Sequence, residues 1–287
     1  MITNRKPEWL KKKIDLNSLS EMNKMLKSLG LHTVCQSAKC PNIGECFLKN
    51  TATFMILGNV CTRNCSFCAV SKGETNPPDI NEPINLAKAA VLLKLKHIVI
   101  TSVSRDDLED GGAEQFANCI YEVRKLLPNS TTEILIPDFK ANQNSLARII
   151  ESRPTIINHN LETVASLYPK VCHMADYNQS LNVLKYIKVH SDIITKSGIM
   201  LGIGETKEEV ISLIDDLAEI NCDMLTIGQY LPPSNNHLKL KEYIKPEIFI
   251  ELKEIALERG IKYVASGAYI RSSYNALESI DAMQLPK

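Results

Sequence analysis

The chain has 287 residues, of which 44% are hydrophobic and 23% charged, a mix typical of a soluble globular protein with ample material for a core. Its 33 basic side chains balance 33 acidic ones, so no overall basic field recruits nucleic acid or a membrane surface. No apolar run approaches the ~18 residues of a membrane span, and the basic segment 1–16 lacks the apolar core of a signal peptide. We therefore expect a cytoplasmic protein.

Six of the nine cysteines lie between residues 35 and 68. Because the cytosol keeps thiols reduced, this concentration predicts metal binding rather than a set of disulfides. The first three, Cys35, Cys40 and Cys46, are spaced C-x4-C-x5-C within HTVCQSAKCPNIGECF. The loop that carries them contains Pro and Gly and can wrap a compact metal cluster.

The second triplet, Cys61, Cys65 and Cys68, follows a predicted strand at 51–57 and has the spacing C-x3-C-x2-C. Three thiolates in one tight loop suit a four-iron, four-sulfur cluster and leave one iron without a protein ligand, open for chemistry. A structural zinc ribbon is the alternative, but it requires paired C-x2-C knuckles and a fourth ligand. With Phe67 before the last cysteine, the segment resembles the signature of the radical S-adenosylmethionine (SAM) superfamily. The resemblance implies that the open iron binds SAM, with Phe67 beside it, and that SAM is split to give a 5′-deoxyadenosyl radical.

Beyond the triplets, short β-branched runs alternate with segments of helical period. The further predicted strands are 97–101, 132–136, 155–160, 194–201, 224–230 and 262–266. A helix is predicted over 206–221, started by a capping box of Thr206 and Glu209, and another from Pro246 to Gly260. The alternation predicts a parallel α/β sheet, either a partial (β/α) barrel of about six to seven strands or a doubly wound sheet. Both architectures bind ligands at the carboxyl ends of the strands.

Candidate ligand-binding residues follow several of these strands. The segment SVSRDDLEDGG supplies Gly111 and Gly112, whose bare backbone can approach a ligand closely. The other candidates for SAM binding are Asn158, Asn160, Glu162, Lys196, Gly202 and Gly204. A helix start or a solvated loop is the alternative for these positions, and a glycine-rich turn alone is weak evidence for a nucleotide. The isolated Cys119 and Cys222 are predicted to pack in the core, and His237 is given no role.

Near the C-terminus the sequence reads Arg271, Ser272, Ser273, Tyr274. Alone, the serines would be read as a helix N-cap. Together with the first triplet and the segment TATFMILGNVCTRNCSFC, however, this motif resembles the lipoyl synthase family, and the resemblance covers nearly the whole chain.

The resemblance implies a second, auxiliary four-iron cluster on Cys35, Cys40 and Cys46. Its fourth ligand would be a serine hydroxyl of the RSSY motif, Ser273 in preference to Ser272, although the residues alone do not separate the two. Arg271 is expected to contact the cluster region or the substrate, with a plain salt bridge as the alternative.

The family resemblance also implies a fold, a reaction and partners. The fold would be an N-terminal extension (1–50), a radical SAM partial barrel (51–270) and a C-terminal segment (271–287) that packs on the barrel. The reaction would insert two sulfur atoms at C6 and C8 of an octanoyl chain, with the auxiliary cluster as the sacrificed sulfur donor. The implied partners are an octanoylated lipoyl carrier domain or H-protein, a low-potential electron donor and an iron–sulfur carrier for repair.

The sequence departs from the family pattern at a few positions. Cys172 and His173 replace an Arg-Pro, and Ser104 replaces an acidic residue in TSVSRDD. Neither change removes a predicted cluster ligand, but both concern regions expected to contact substrate or carrier. The rival hypotheses are a radical SAM enzyme with another substrate and a non-enzymatic metal-binding scaffold or iron–sulfur carrier.

Overall fold

The computed structural model describes residues 7–10, 16–49 and 51–283. The basic residues at 5, 6 and 11–13 and the last four residues of the expected C-terminal tail lie outside these ranges. Within them, no helix is both long enough and apolar enough to cross a bilayer.

The described ranges contain short strands and amphipathic helices in alternation. The strands are β1 (His32–Thr33), β2 (Thr53–Ile56), β3 (Val60–Cys61), β4 (Ser71–Lys72), β5 (His97–Ser102), β6 (Thr131–Leu135), β7 (Ile156–Asn158), β8 (Ile194–Leu201), β9 (Met224–Gln229) and β10 (Tyr263–Gly267). The helices are α1 (Leu16–Ser28), α2 (Val34–Ser37), α3 (Ile43–Leu48), α4 (Glu82–Leu92), α5 (Ala113–Leu126), α6 (Gln143–Glu151), α7 (Tyr168–Val171), α8 (Tyr177–His190), α9 (Lys207–Glu219), α10 (Pro246–Glu258) and α11 (Ala276–Ala282). Three short 3-10 turns cover Glu8–Leu10, Phe139–Ala141 and Ala165–Leu167.

The main sheet has eight strands in the order β1-β2-β5-β6-β7-β8-β9-β10. β1 pairs with β2 in antiparallel fashion, and the seven strands from β2 to β10 are parallel. A doubly wound sheet would reverse its strand order at a switch point, whereas here the order follows the chain. The structure is therefore the partial-barrel form of the predicted α/β fold.

All seven predicted strands are present, with ends shifted by at most a few residues. The predicted capping box is confirmed at the start of α9, where Thr206 accepts a hydrogen bond from the Glu209 amide and the Glu209 side chain accepts one from the Thr206 amide. The N-terminal elements α1, β1, α2 and α3 and the small β3–β4 pair were not predicted. α1 has 13 residues with Leu16, Leu19, Met22 and Leu26 at helical spacing, a signal that was not used to predict it. The other elements have six residues or fewer, too few to show a period.

The strands form a sheet because their side chains are buried on both faces. Ile98 and Ile100 of β5 are fully buried, as expected for a parallel strand covered by helices. Polar side chains, including those of His97 and Glu133, are buried on the other face, which lines the barrel interior.

The C-terminal chain runs along this interior from the mouth of the barrel to its base. A Cβ atom on Gly228 would lie 2.2 Å from the carbonyl oxygen of Ile270, so the chain after β10 passes directly over β9. Further on, Ile280 of α11 is fully buried against Ile156 and Met224 at the amino ends of β7 and β9. The segment that carries the RSSY motif is thereby held inside the partial barrel.

Candidate active site

The second cysteine triplet lies on a loop that leaves the carboxyl end of β2. Its two ends are joined by the parallel β3–β4 pair, in which Cys61 is in register with Lys72. The Arg63 amide donates a hydrogen bond to Cys61 Sγ at 3.4 Å, and the Cys68 amide donates to the Cys65 carbonyl at 3.2 Å. Phe67 packs against the core around β8 and β9. The loop is therefore closed on itself and attached to the barrel.

A buried ion-pair network fixes the same loop. The Arg63 guanidinium donates two hydrogen bonds to Asp106, at 2.7 and 2.9 Å, and two to Asp138, at 2.9 and 2.6 Å. Asp138 also accepts a hydrogen bond from Gln179 at 3.0 Å. Burial alone would lower the pKa of Arg63, but the two carboxylates outweigh it and raise that pKa. Arg63 thus connects the triplet to the loops after β5 and β6 by charge-assisted bonds.

Glu162 and Asn160, two of the candidates for SAM binding, lie beside the second triplet. Burial raises the pKa of Glu162 to about 7, with a hydrogen bond from Asn160 opposing the shift and the nearby Cys65 thiol adding to it. The Asn160 amide donates to Glu162 at 3.1 Å and to Ser272 Oγ at 2.8 Å, and Ser272 donates back to Asn160 at 3.0 Å. Gly198 lies beneath this contact, where a Cβ atom would approach Asn160 Oδ1 to 2.8 Å. The RSSY motif is thereby joined to the loop after β7.

The first triplet lies in the N-terminal extension, on and between α2 and α3. Cys35 is buried, and Cys40 and Cys46 are half-buried. Burial raises the pKa of the Cys35 thiol to about 11, and the Cys40 thiol is close enough to contribute to that shift. The Cys40 amide donates to the Cys35 carbonyl at 3.0 Å, which holds the first two cysteines together.

Two hydrogen bonds connect this extension to the C-terminal segment. Asn42 Nδ2 donates to the Tyr269 carbonyl at 2.7 Å, and the Tyr274 hydroxyl donates to Glu45 Oε1 at 2.9 Å. Arg271 is half-buried as a residue, and its guanidinium donates to the Ile270 carbonyl at 2.6 Å. Burial lowers the pKa of Arg271, and the nearby Cys40 thiol opposes that shift. The RSSY motif is therefore next to the first triplet as well as to Asn160.

The two serines of the motif have different surroundings. Ser272 exchanges hydrogen bonds with Asn160. Ser273 is half-buried, and its hydroxyl has no hydrogen-bond partner among the residues that the structure describes. Of the two, Ser273 is the one whose hydroxyl is not already bonded to another described residue.

Lys196 and Asn158 lie deeper than the other candidates, in an ionic network inside the barrel. Lys196 Nζ is 2.9 Å from Glu133 Oε1, Asn158 Nδ2 is 3.3 Å from the same oxygen, and His97 Nε2 is 3.4 Å from Glu133 Oε2. Lys196 is 2% exposed and Asn158 and Glu133 are fully buried. The structure thus explains Lys196 as the counter-charge of Glu133. A contact of Lys196 or Asn158 with SAM stays a prediction.

The candidate glycines approach protein groups closely. A Cβ atom on Gly112 would lie 2.2 Å from Leu57 Cδ1, and one on Gly111 would lie 2.8 Å from Phe139 Cδ1. After β8, the Gly204 amide donates to the Glu205 carboxylate at 3.0 Å, as do the amides of the two preceding residues, so this turn binds its own side chain. Tight packing accounts for Gly111 and Gly112, and a contact of Gly111, Gly112, Gly202 or Gly204 with SAM stays a prediction.

The remaining cysteines divide into two kinds. Cys119 and Cys222 are buried in the core, as predicted. Cys172 is buried beside the second triplet, where its hydrogen bond with Cys65 raises the pKa of Cys172 and lowers that of Cys65 to about 7. The neighbouring His173 is exposed.

Comparison with known proteins decides the family. A family model described as the radical SAM superfamily matches residues 55–217. The chain is 55% identical over 276 residues to a lipoyl synthase of Caldanaerobacter subterraneus, covering 96% of this chain and 97% of that protein. It is 52% identical to a lipoyl synthase of Caldicellulosiruptor saccharolyticus, covering 97% and 99% of the two chains. The chain belongs to the lipoyl synthase family.

Lipoyl synthases are sulfurtransferases of the radical SAM superfamily, and membership of that superfamily implies a four-iron cluster and SAM. Solved structures support the fold alone. Methylornithine synthase PylB has a TM-score of 0.56 at 13% identity, covering 92% of this chain and 93% of that one. SuiB of Streptococcus suis bound to its precursor peptide has a TM-score of 0.59 at 12% identity, covering 95% and 59%.

The three thiols of the second triplet suit the four-iron cluster that membership of the radical SAM superfamily implies. In the described ranges, no three His, Cys, Asp or Glu side chains converge as the ligands of one ion would. A four-iron cluster instead takes each thiolate on a separate iron. Backbone amides already donate to Cys61, from Arg63, and to Cys68, from Val70, and hydrogen bonds to the sulfurs are one of the factors that set the reduction potential of a cluster.

Several residues of this site were not singled out in the sequence. Arg63 lies between two of the predicted ligands, and Asp106 and Asp138 follow strands, but nothing in the sequence pairs them. Asn42 and Glu45 are separated from Tyr269 and Tyr274 by more than 220 residues. The available signal was that Arg63, Asn42 and Glu45 lie within the two triplets in sequence. Only the folded chain shows the partners of these three residues.

Proposed function

We propose that this enzyme converts a protein-bound octanoyl-lysine into the lipoyl group by inserting sulfur at C6 and C8, with an auxiliary four-iron cluster as the sacrificed sulfur donor. The observation that carries the proposal is the position of the RSSY segment. It touches the loop after β7 through Ser272 and Asn160, and the first triplet's extension through Tyr274 and Glu45. A substrate bound at this segment would have a cysteine triplet on either side.

The residues have distinct tasks under this proposal. Cys61, Cys65 and Cys68 hold the cluster that cleaves SAM, while Cys35, Cys40, Cys46 and Ser273 hold the auxiliary one. When bound, the first of these clusters supplies the electron that splits SAM, and the second supplies sulfide. The free hydroxyl of Ser273 supports its assignment over that of Ser272.

The carbon atoms at C6 and C8 have no acidic proton that a general base could remove, so the cofactors carry the difficult chemistry. What the chain contributes is position. Arg63 fixes the loop of the second triplet, and Glu162 and Asn160 offer hydrogen-bonding groups to SAM beside it. The substrate would come from an octanoylated lipoyl carrier domain or H-protein, the electron from a low-potential donor, and replacement sulfur from an iron–sulfur carrier.

The test is an anaerobic reaction of reconstituted enzyme with SAM, dithionite and an octanoyl-lysine peptide, read by mass spectrometry. We expect the peptide to gain two sulfur atoms and lose two hydrogen atoms. Cys40→Ala should abolish sulfur insertion but keep SAM cleavage, whereas Cys65→Ala should abolish both. Cys119→Ala, which removes a buried thiol of α5 far from either triplet in sequence, is the matched control and should keep both reactions. SAM cleavage by the unaltered enzyme without sulfur on the peptide would refute the proposal.

The serine assignment has its own test. Ser273→Ala should lower the iron retained by the first triplet, while Ser272→Ala should break the contact with Asn160 and leave that iron in place. Iron per chain and the electron paramagnetic resonance signal of each cluster separate the two cases. Equal iron loss in both variants would contradict the choice of Ser273.

A further inference from the structure

The loop of the second triplet and two other segments of the chain meet and form one surface. Ser66, between two of the cysteines, donates from its amide to the Val171 carbonyl at 3.0 Å and from its hydroxyl to the Lys170 carbonyl at 2.9 Å. The Leu238 amide donates to the Ser66 carbonyl at 2.9 Å. Segments 61–73, 165–174 and 231–241 therefore meet at Ser66, one residue from the Cys65 thiol.

This surface, which we call the basic face, carries only one sign of charge. The three segments contain no Asp or Glu, although the whole chain has 33 of them. They contain four exposed lysines, Lys72, Lys170, Lys239 and Lys241, and none of these pairs with a carboxylate in the described part of the chain. Arg63, the other cation of these segments, is buried against Asp106 and Asp138. Acidic side chains resume at the margins, with Glu74, Asp176 and Glu242 along the chain and with the exposed Asp107 and Glu109 of the loop after β5, which contacts the triplet loop at Thr62.

The basic face also lies close to the thiols. Lys72 Nζ is 3.3 Å from the Cys65 carbonyl oxygen, and Asn64, next to Cys65, is exposed. A partner seated on this face would be separated from the triplet by little more than the loop itself. A face of one charge sign selects partners of the opposite sign and speeds their association.

We propose that the basic face docks an acidic, low-potential electron-transfer protein that reduces the cluster on Cys61, Cys65 and Cys68. This inference rests on the proposed function, which requires an electron for each SAM cleaved. On each docking the donor is oxidised by one electron, and that electron is consumed when the carbon–sulfur bond of SAM breaks. An electron donor needs only to come near the triplet, for which the exposed loop is sufficient. An acyl carrier must instead deliver its chain to the contact between Asn160 and Ser272.

The test compares two double charge reversals in the reconstituted enzyme. Lys170→Glu with Lys239→Glu changes the basic face, and Lys88→Glu with Lys253→Glu, on exposed positions of α4 and α10, is the matched control. Formation of 5′-deoxyadenosine is measured with a reduced acidic ferredoxin and, separately, with dithionite. We expect the first variant to need about ten-fold more ferredoxin for half-maximal rate than the unaltered enzyme. Added salt should change this ferredoxin requirement less in the variant than in the unaltered enzyme. Its rate with dithionite should match that of the unaltered enzyme and of the control.

The other outcomes overturn the inference in distinguishable ways. Unchanged dependence on ferredoxin would show that the donor docks elsewhere. Loss of iron or of the dithionite-driven rate would show that Lys170 and Lys239 support the loop rather than a partner. The third outcome concerns the variant with Lys170→Glu and Lys239→Glu, driven by dithionite. If it no longer inserts sulfur into an octanoylated carrier protein but still does so into an octanoyl peptide, the face binds the acyl carrier instead. Because the peptide reaction with dithionite needs no protein donor, it tests the proposed function separately.

Discussion

The two cysteine triplets are held in the structure in different ways. Cys61, Cys65 and Cys68 lie on one short loop, closed by the β3–β4 pair and fixed by the buried guanidinium of Arg63. Cys35, Cys40 and Cys46 are spread over short helices, and their extension is joined to the C-terminal segment by hydrogen bonds such as that of Tyr274 to Glu45. The first arrangement is local and ionic, and the second brings together two distant parts of the chain.

This difference fits two different tasks. Hydrogen bonds to charged partners contribute roughly 1.5–3 kcal/mol each, against about 1 kcal/mol for ordinary ones. A loop held by four bonds to two carboxylates suits a cluster that must keep its geometry through repeated reactions. A junction held by two described side-chain hydrogen bonds, one to a neutral carbonyl and one to a carboxylate, suits a cluster that is dismantled and rebuilt, as the proposed function requires.

The largest expected effect comes from breaking the ionic attachment. Arg63→Ala leaves Asp106 and Asp138 without their cation, and removal of one partner from a buried ion pair costs about 3–5 kcal/mol in the free energy of unfolding. We expect the second triplet to lose its iron while the first retains its own, as measured by iron per chain and electron paramagnetic resonance. Arg63→Lys keeps the charge but loses the paired geometry. Its loss of iron from the second triplet should therefore lie between that of Arg63→Ala and that of the unaltered enzyme. Equal loss from both triplets would contradict the comparison.

A second variant separates this local effect from general destabilisation. Lys196→Met leaves Glu133 buried inside the barrel without its nearest cation, which should also cost about 3–5 kcal/mol. Here we expect no preference for either triplet, since Lys196 bonds to neither cysteine loop. Glu133→Leu with Lys196→Met removes both charges and should recover most of the free energy of unfolding. Selective iron loss in Lys196→Met would show that the barrel interior, and not Arg63, controls the second triplet.

These contrasts mark what the sequence could predict. The strands and the capping box at Thr206 are encoded in local spacing and period, so they were predicted with nearly correct bounds. The cysteine triplets are also visible in their spacing, and their binding of clusters stays a prediction. The partners of Arg63 and Tyr274 depend on which loops meet in the folded chain, and local spacing does not contain that information. The depth of Lys196 was also missed, because its place three residues into β8 matters only once Glu133 is known to face it.

Acid should weaken the interior network of the barrel. Burial alone would raise the pKa of Glu133, but Lys196 and His97 outweigh it and lower that pKa to about 2, below its ordinary value of 4.5. A carboxyl group that binds its proton more weakly in the folded chain stabilises the fold above its ordinary pKa. That contribution is lost as the pH falls from about 4.5 toward 2. The metal-free chain should therefore lose more free energy of unfolding between about pH 6 and pH 3.5 than Glu133→Gln does. Parallel pH curves for the two would refute this assignment.

The smallest expected effect tests the weaker junction. Tyr274→Phe removes the hydroxyl that donates to the Glu45 carboxylate at 2.9 Å, a loss of roughly 1.5 kcal/mol, at the low end for a bond to a charged group because Glu45 is partly exposed. We expect a chelator to remove iron from the first triplet several-fold faster, with the second triplet unchanged. Tyr121→Phe, at an exposed position of α5, is the matched control and should change neither rate. If Tyr274→Phe releases iron from both triplets at the same rate, the C-terminal segment is not what holds the first triplet in place. Selective release would instead show that a single hydrogen bond between distant parts of the chain is enough to set how readily one cluster comes apart beside another that does not.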